Sequence, residues 1–151
     1  MESISNNMTK KIRVYTDGGA RGNPGPAAIG VVVCDENDRI IFQFKRRIGR
    51  ATNNEAEYNA LIKGLELARD YTHGEIECIA DSLLIVSQMR GEYKVKKKEL
   101  KELFEKAKKL ESKFRKVSYS HMERENKMIA EADRLVNEAL DGISGKLPIG
   151  Y

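Results

Sequence analysis

Four acidic residues lie where the sequence pattern places the end of a strand or the edge of a helix's apolar face. Asp17 and Asp81 each follow an apolar run of strand type. Glu57 and Asp133 each lie beside the apolar stripe of a predicted helix. A carboxylate that is half-buried at such a place needs a cation or hydrogen-bond donors. Since hard divalent cations prefer oxygen ligands, the four residues together predict a divalent-metal site.

Each acid also has an ordinary structural explanation, and from the sequence alone these alternatives stay open. They are a hairpin turn for Asp17, a helix cap for Asp81, a helix-dipole contact for Glu57, and an ion pair with Arg134 or Lys127 for Asp133. A shared site is favoured, because four mutually repelling carboxylates at one end of a sheet do not stabilise a fold by themselves.

The elements that must position these acids follow from the spacing of the apolar residues. Apolar runs predict strands at 11–17, 28–34 and 40–46, joined by short loops as an antiparallel meander. Helical and strand patterns follow in the later segments. They predict a helix capped by Thr52 or Asn53, a strand at 75–80, a short helix to about 90, a helix at 97–112, a strand at 117–122 and a helix at 128–140.

This order of elements predicts an α/β fold with one five-stranded mixed sheet and helices on both faces. The right-handed crossover rule places strand 4 beside strand 1 and parallel to it, and strand 5 is expected to be parallel as well. In such a sheet ligands bind beyond the carboxyl ends of the parallel strands. Asp17 and Asp81 are expected at those ends.

The composition is that of one soluble globular domain. The chain has 151 residues, of which 40% are hydrophobic and 33% charged. No apolar run approaches the roughly 20 residues that span a bilayer, so we expect no membrane association, and we expect a monomer. Cys34 and Cys78 lie in apolar runs, which favours buried thiols in a reducing, cytoplasmic compartment. We expect a flexible tail at 1–10, the folded domain at 11–141 and a second tail at 142–151.

Lysines cluster in the second half of the chain, although the net charge is only +4. Five of them fall within eight positions: Lys94, Lys96, Lys97, Lys98 and Lys101. Acids are interleaved at 105–113, which favours a solvated helix face there. No acid interrupts 94–98, so both a solvated surface and contact with nucleic-acid phosphates stay open for that run.

Five short blocks of sequence resemble, in this order, ribonuclease H type 1. They are Thr16-Asp17-Gly18-Gly19, Gly22-Asn23-Pro24-Gly25-Pro26, Thr52-Asn53-Asn54-Glu55-Ala56-Glu57, Ala80-Asp81-Ser82 and Glu131-Ala132-Asp133. The resemblance covers residues 11–141 and implies the ribonuclease H-like fold. It implies endonucleolytic cleavage of the RNA strand of an RNA–DNA hybrid, with 5′-phosphate and 3′-hydroxyl products. It also implies two Mg²⁺ or Mn²⁺ ions, held by the four catalytic residues Asp17, Glu57, Asp81 and Asp133.

The same resemblance implies substrate contacts for seven further residues. These are Gly18 and Gly19 at the RNA 2′-hydroxyls, Asn23, Asn53 and Asn54 in the minor groove, and Arg50 and Thr52 at a phosphate of the DNA strand. A turn for Asn23, and helix capping for Thr52 and Asn53, stay open as alternatives.

Two rival functions stay open beside the hybrid ribonuclease. One is a nuclease of the same fold that acts on double-stranded RNA or DNA, and the glycine loop with the Asn53-Asn54 pair favours the hybrid over it. The other is a non-catalytic module that binds hybrid or RNA. An intact set of four carboxylates argues against that module, because a pure binder gains nothing from negative charge facing phosphates.

The chain departs from the family pattern after the helix that follows Asp81. Many bacterial members carry an extra basic helix and loop there, and only residues 91–96 separate the two helices in this chain. The layout resembles the shorter archaeal-type subgroup. We expect the lysines at 94–98 to replace that basic handle in part.

A second departure lies before the last helix. Family members usually show a Gly-His pair there, whereas this chain has His121, for which a structural role is favoured over proton transfer. Glu125 or Glu131 is then the candidate for assisting proton transfer or product release. The stretch from Asn126 to Asp133 is also longer than the subgroup's usual spacing.

Overall fold

Five strands form one mixed sheet in the computed structural model, which describes residues 11–142. They are β1 (Ile12–Ala20), β2 (Gly25–Cys34), β3 (Ile40–Ala51), β4 (Glu75–Ala80) and β5 (Lys116–His121). Their order in the sheet is β3-β2-β1-β4-β5. The strands β1, β2 and β3 pair antiparallel, whereas β4 pairs parallel with β1 and β5 parallel with β4. The predicted mixed sheet is confirmed.

Within the described part of the chain, four helices cover the two faces of this sheet. They are α1 (Asn53–Ala68), α2 (Leu83–Met89), α3 (Lys98–Glu111) and α4 (Lys127–Leu140). Val14 and Val31 pack into the core under α1, α2 and α3. Their neighbours Tyr15 and Val32 pack on the other face, with Ile129 of α4. Because successive strand residues point to opposite faces, β1 and β2 are buried on both sides, which explains their nearly continuous apolar sequences.

The first three strands are longer than their apolar runs predict. β1 continues through Gly18 to Ala20 and β2 begins at Gly25, so the expected glycine-rich loop is reduced to a turn at 21–24. β3 likewise continues to Ala51. The predicted ends of strands 1 and 3 and the predicted start of strand 2 are therefore wrong by a few residues. The reason is tertiary, because pairing with a neighbouring strand keeps the glycines extended.

Several other expectations concern the chain as a whole. Between residues 11 and 142, no helix is both long enough and apolar enough to cross a membrane. Cys34 and Cys78 are buried and free, as expected. The predicted tails at 1–10 and 142–151 lie outside the described residues except for Gly142, and the domain boundaries stay a prediction.

Candidate active site

The carboxyl ends of β1 and β4 bring two of the four predicted acids together. Thr16 of β1 pairs in parallel register with Ala80 of β4, so the residues that follow, Asp17 and Asp81, are neighbours. Asp17, Glu57 and Asp81 each offer a carboxylate oxygen, and these three oxygens lie within 4.8 Å of one another. This three-carboxylate cluster is the centre of the candidate site.

Glu57 reaches the cluster because the first turn of α1 lies against the end of β1. A Cβ at Gly18 would lie 2.1 Å from the carbonyl oxygen of Ala56 and 2.6 Å from the nitrogen of Glu57, so only glycine allows this approach. The N–H of Gly18 donates to Glu57 Oε1 at 3.0 Å. A capping box between Thr52 and Glu55 fixes where α1 begins. Backbone contacts therefore orient the Glu57 carboxylate.

Asp133 is positioned by a second close approach, on the other face of the sheet. Gly30 of β2 lies opposite Asp17 in the antiparallel register. A Cβ on Gly30 would lie 2.4 Å from the carbonyl oxygen of Ala132, so α4 can lie directly on β2 only because residue 30 is glycine. The carboxylate of Asp133 then lies close enough to Asp17 for its charge to help raise the pKa of Asp17. Asp133 thus borders the three-carboxylate cluster but is not one of its three members.

The site carries more negative charge than its hydrogen bonds compensate. Asp17 is only 3% exposed, and burial together with the charges of Asp81 and Asp133 raises its pKa from 3.8 to about 8. Burial and the charges of Asp17 and Asp81 raise the pKa of Glu57 well above its usual range. A hard divalent cation would supply the missing positive charge to oxygen ligands, so this donor set fits Mg²⁺ or Mn²⁺.

Arg124 brings a positive charge to this site, and the sequence pattern alone gave it no role. It lies in the loop between β5 and α4. Its Nη2 and Nε atoms lie 3.0 Å and 3.2 Å from Asp81 Oδ2, and its Nη1 lies 3.6 Å from Asp133 Oδ1. The hydrogen bond to Asp81 raises the pKa of Arg124. The available signal was its place just after β5, since the carboxyl ends of parallel strands share one edge of the sheet.

The turn, the helix cap and the ion pair with Arg134 do not describe Asp17, Asp81 and Asp133 in this structure. Asp17 lies within β1 and not in a turn. Ser82, rather than Asp81, caps α2. Arg134 forms ion pairs with two glutamates of α4 and not with Asp133.

The three candidate helper residues occupy different places. His121 Nε2 lies 3.1 Å from the carbonyl oxygen of Asp81, which agrees with a structural role. Glu131 accepts a hydrogen bond from Gln43 Nε2 at 2.8 Å, so its carboxylate is engaged between α4 and β3. Glu125 is exposed and stays a candidate.

Backbone N–H groups orient the side chains of two of the predicted minor-groove residues. The backbone N–H of Asn53 donates to Asn23 Oδ1 at 2.9 Å, and the backbone N–H of Ala20 donates to Asn53 Oδ1 at 2.9 Å. With both amide oxygens engaged, each exposed side chain keeps its NH₂ group as a donor toward solvent. Asn54 lies in the same cleft, of about 480 Å³, together with Asn23, Thr52, Asn53 and Lys97 of the segment before α3.

The remaining predicted contact residues are distributed around this cleft. Thr52 Oγ1 accepts from Glu55 N–H at 3.1 Å, so the capping alternative describes it, and its hydroxyl hydrogen is still available. Arg50 lines a neighbouring cleft of about 490 Å³, beside Lys98. Gly19 is partly exposed, whereas Gly18 is buried and donates its N–H to the protein.

Comparison with known proteins identifies the family. A family model described as "Reverse transcriptase-like" matches residues 15–139. A solved structure, the N-terminal RNase H domain of a Mycobacterium tuberculosis protein, is 42% identical with a TM-score of 0.84, covering 89% of this chain and 96% of that one. Another, the RNase H1 named LC11 in complex with RNA/DNA hybrid, is 46% identical with a TM-score of 0.82, covering 87% and 97%. The chain belongs to the ribonuclease H family, type 1.

Two curated relatives extend this finding. A bifunctional protein of Mycobacterium tuberculosis is 43% identical over 132 residues, which are 87% of this chain and 36% of the relative. The ribonuclease HI of Halobacterium salinarum is 40% identical over 131 residues, which are 87% of this chain and 65% of the relative. This ribonuclease H chain therefore spans about a third of the length of the mycobacterial relative. Members of the family are metal-dependent, in agreement with the three-carboxylate cluster.

The raised pKa of Asp17 predicts how stability depends on pH without metal. Its folded-state pKa of about 8 lies above the ordinary 3.8, so the folded protein holds an extra proton between these values. In EDTA, we expect the free energy of unfolding to fall as pH rises toward 8. Asp17→Asn removes this penalty and should stabilise the metal-free protein at pH 8 by on the order of 2 kcal/mol. Thermal melts at pH 6 and pH 8 measure both effects, and a lower Tm for the variant at pH 8 would contradict the assignment.

The close approach at Gly30 predicts a defect in metal binding. Gly30→Ala must push α4 away from β2, which displaces Asp133 and should weaken Mn²⁺ binding about 10-fold. Gly142→Ala is the matched control. It introduces strain at the end of α4, where φ is +72° and no neighbour lies within 4 Å, but it leaves Asp133 in place. Calorimetric titration should therefore separate the two variants, and equal Mn²⁺ affinities would show that this contact does not position Asp133.

Proposed function

We propose that this chain is a metal-dependent endoribonuclease that cleaves the RNA strand of RNA–DNA hybrids and leaves 5′-phosphate and 3′-hydroxyl ends. One observation supports this proposal most directly. The three-carboxylate cluster and Asp133 lie at the same edge of the sheet as the free amide donors of Asn23 and Asn53. A phosphate-cleaving centre and a surface suited to a nucleic-acid groove are thereby adjacent. The 46% identity to an RNase H1 solved with RNA/DNA hybrid supports the choice of substrate.

The metal requirement is proposed to be two Mg²⁺ or Mn²⁺ ions. Asp17, Glu57, Asp81 and Asp133 would hold them. When bound, such ions make water a better nucleophile and stabilise negative charge on the leaving 3′-oxygen.

The chain's own groups prepare this site. Asp17 and Glu57 must lose their protons to act as ligands, and their raised pKa values imply that proton release accompanies metal binding. Gly18 N–H holds the Glu57 carboxylate in one orientation. Because α1 and α4 approach β1 and β2 so closely, the acids are fixed by the backbone before a substrate arrives.

The substrate surface suits a hybrid rather than one base sequence. The NH₂ donors of Asn23 and Asn53 can meet the minor-groove acceptors that most base pairs share, so we expect little sequence specificity. The backbone at Gly19 is proposed to test for an RNA 2′-hydroxyl, the group that distinguishes RNA from DNA. Arg50 and Thr52 are proposed to hold a DNA-strand phosphate from their neighbouring clefts.

The folded unit at 11–141 is proposed to act as a monomer in the cytoplasm. The exposed large apolar side chains among the described residues are Leu83, Leu84 and Tyr93, which is a small set for a stable dimer interface. Free, buried Cys34 and Cys78 suit a reducing compartment.

Replacing one acid tests the reaction. Asp17→Asn should lower hybrid cleavage by on the order of 10³-fold, because a lost metal ligand removes several kcal/mol of transition-state stabilisation. The assay uses labelled hybrid, RNA duplex and DNA duplex in parallel, with Mg²⁺ or Mn²⁺. Asp70→Asn, an exposed position outside the site, is the control and should cleave like the parent chain.

Each outcome of this assay is informative. Cleavage of hybrid alone supports the proposal. Equal cleavage of RNA duplex would make the chain a double-strand ribonuclease of the same fold. Unchanged cleavage by Asp17→Asn would refute the assigned chemistry.

The lysines before α3 predict how hybrid binding depends on salt. Lys94, Lys96 and Lys97 are exposed and form no ion pair with the residues that the structure describes. Lys97 also lines the cleft of Asn23 and Asn53. Replacing the three lysines by glutamine should raise the KM for hybrid about 10-fold at moderate salt and reduce the slope of log affinity against log salt by about 2 to 3.

The matched control for this prediction is a second triple variant with the same charge change. Lys106, Lys109 and Lys113 lie along and after α3, where acids are interleaved, and replacing them by glutamine should change the salt slope by less than 1. Equal effects of the two triple variants would indicate that only the overall charge matters.

A further inference from the structure

Arg124 forms ion pairs with two of the four acids of the candidate site. Its guanidinium bridges Asp81 and Asp133, with contacts of 3.0 Å and 3.2 Å to Asp81 Oδ2 and 3.6 Å to Asp133 Oδ1. These two acids come from different elements, the end of β4 and the middle of α4. Among the described residues, Arg124 is the only basic side chain that forms ion pairs with both acids.

Arg124 contacts some carboxylate oxygens of the site and leaves others free. On Asp81 they involve Oδ2 alone, so Oδ1 is free of the guanidinium. Asp17 and Glu57 form no hydrogen bond with Arg124 in the described structure. A divalent ion that takes Oδ1 of Asp81 can therefore bind without displacing Arg124 from Oδ2. An ion that needs the contacted oxygen of Asp133 must displace it.

The Arg124 side chain is exposed enough to move away from Asp81 and Asp133. Its side chain is 62% exposed, against 14% for Asp81 and 28% for Asp133. An ion pair with such an exposed partner is weak, because water screens it. The guanidinium can thus give way to a divalent ion without unfolding any element of the sheet.

We propose that Arg124 is an internal counter-cation that competes with the second divalent ion for Asp133 and Asp81. It holds the two acids together when that ion is absent and lowers the affinity for it. This inference rests on the proposed metal-dependent function, and it adds a residue that sets metal occupancy. Arg124 acts here through the metal ligands and is a positioning residue in that sense.

The test is metal binding to the full chain without nucleic acid. Calorimetric titration with Mn²⁺, with Mn²⁺ electron paramagnetic resonance as a second readout, is carried out on the parent chain and on Arg124→Gln, Arg124→Lys and Lys127→Gln. We expect Arg124→Gln to tighten the weaker Mn²⁺ site about 5- to 20-fold and to change the tighter site less than about 2-fold. Arg124→Lys keeps the charge and should restore an affinity near that of the parent chain.

Lys127→Gln is the matched control for charge. Lys127 lies three positions further along, is exposed, and makes no ion pair with the described residues. It should leave both Mn²⁺ affinities unchanged. Equal tightening by Lys127→Gln would show that only the local net charge matters and would overturn the proposal.

The remaining outcomes separate this inference from the proposed function. Unchanged or weaker Mn²⁺ binding by Arg124→Gln overturns the inference, as does a single bound ion in both Arg124→Gln and the parent chain. If the parent chain binds Mn²⁺ and cleaves hybrid in these cases, the proposed function stands. If the parent chain binds no divalent ion, both the inference and the metal-dependent function fail.

Discussion

The mutual repulsion of carboxylates at the end of β1 is the constraint on which the rest of this structure depends. Asp17 is almost fully buried and faces Glu57, Asp81 and Asp133. Protons, Gly18 N–H and Arg124 compensate part of that charge when no metal is bound. Such a destabilising arrangement is typical of a ligand-binding centre. A bound cation would neutralise the carboxylates, which then no longer repel one another but coordinate the ion.

Two backbone contacts hold the repelling groups in place. α1 approaches β1 at Gly18, and α4 approaches β2 at Gly30, which lies directly across from Asp17. A methyl group at either glycine would overlap a carbonyl oxygen of the facing helix. The acids therefore lie on rigid elements that are packed from both sides of the sheet, and loop motion is not needed to assemble them.

The surface around the acids has the opposite electrostatic character. There the protein offers donors and positive charge: the amide groups of Asn23 and Asn53, the guanidinium of Arg50 and the unpaired lysines before α3. Such groups match phosphates and minor-groove acceptors, which every base sequence presents. Arg124 lies between these two regions. It is positively charged like the surface residues, but its ion pairs are with the candidate metal ligands Asp81 and Asp133.

The sequence by itself determined the element order and the sheet topology, and it identified the four acids as candidates, because apolar spacing and strand ends are local signals. It did not determine where β1 ends or where β2 begins, since Gly18 is held in the ladder by pairing with β2. It also gave no role to Arg124, whose partners lie 43 and 9 positions away in the chain. Only the tertiary structure decides which acid is buried and which two acids form ion pairs with Arg124. Burial and Coulomb interactions depend on distances between elements that are far apart in sequence.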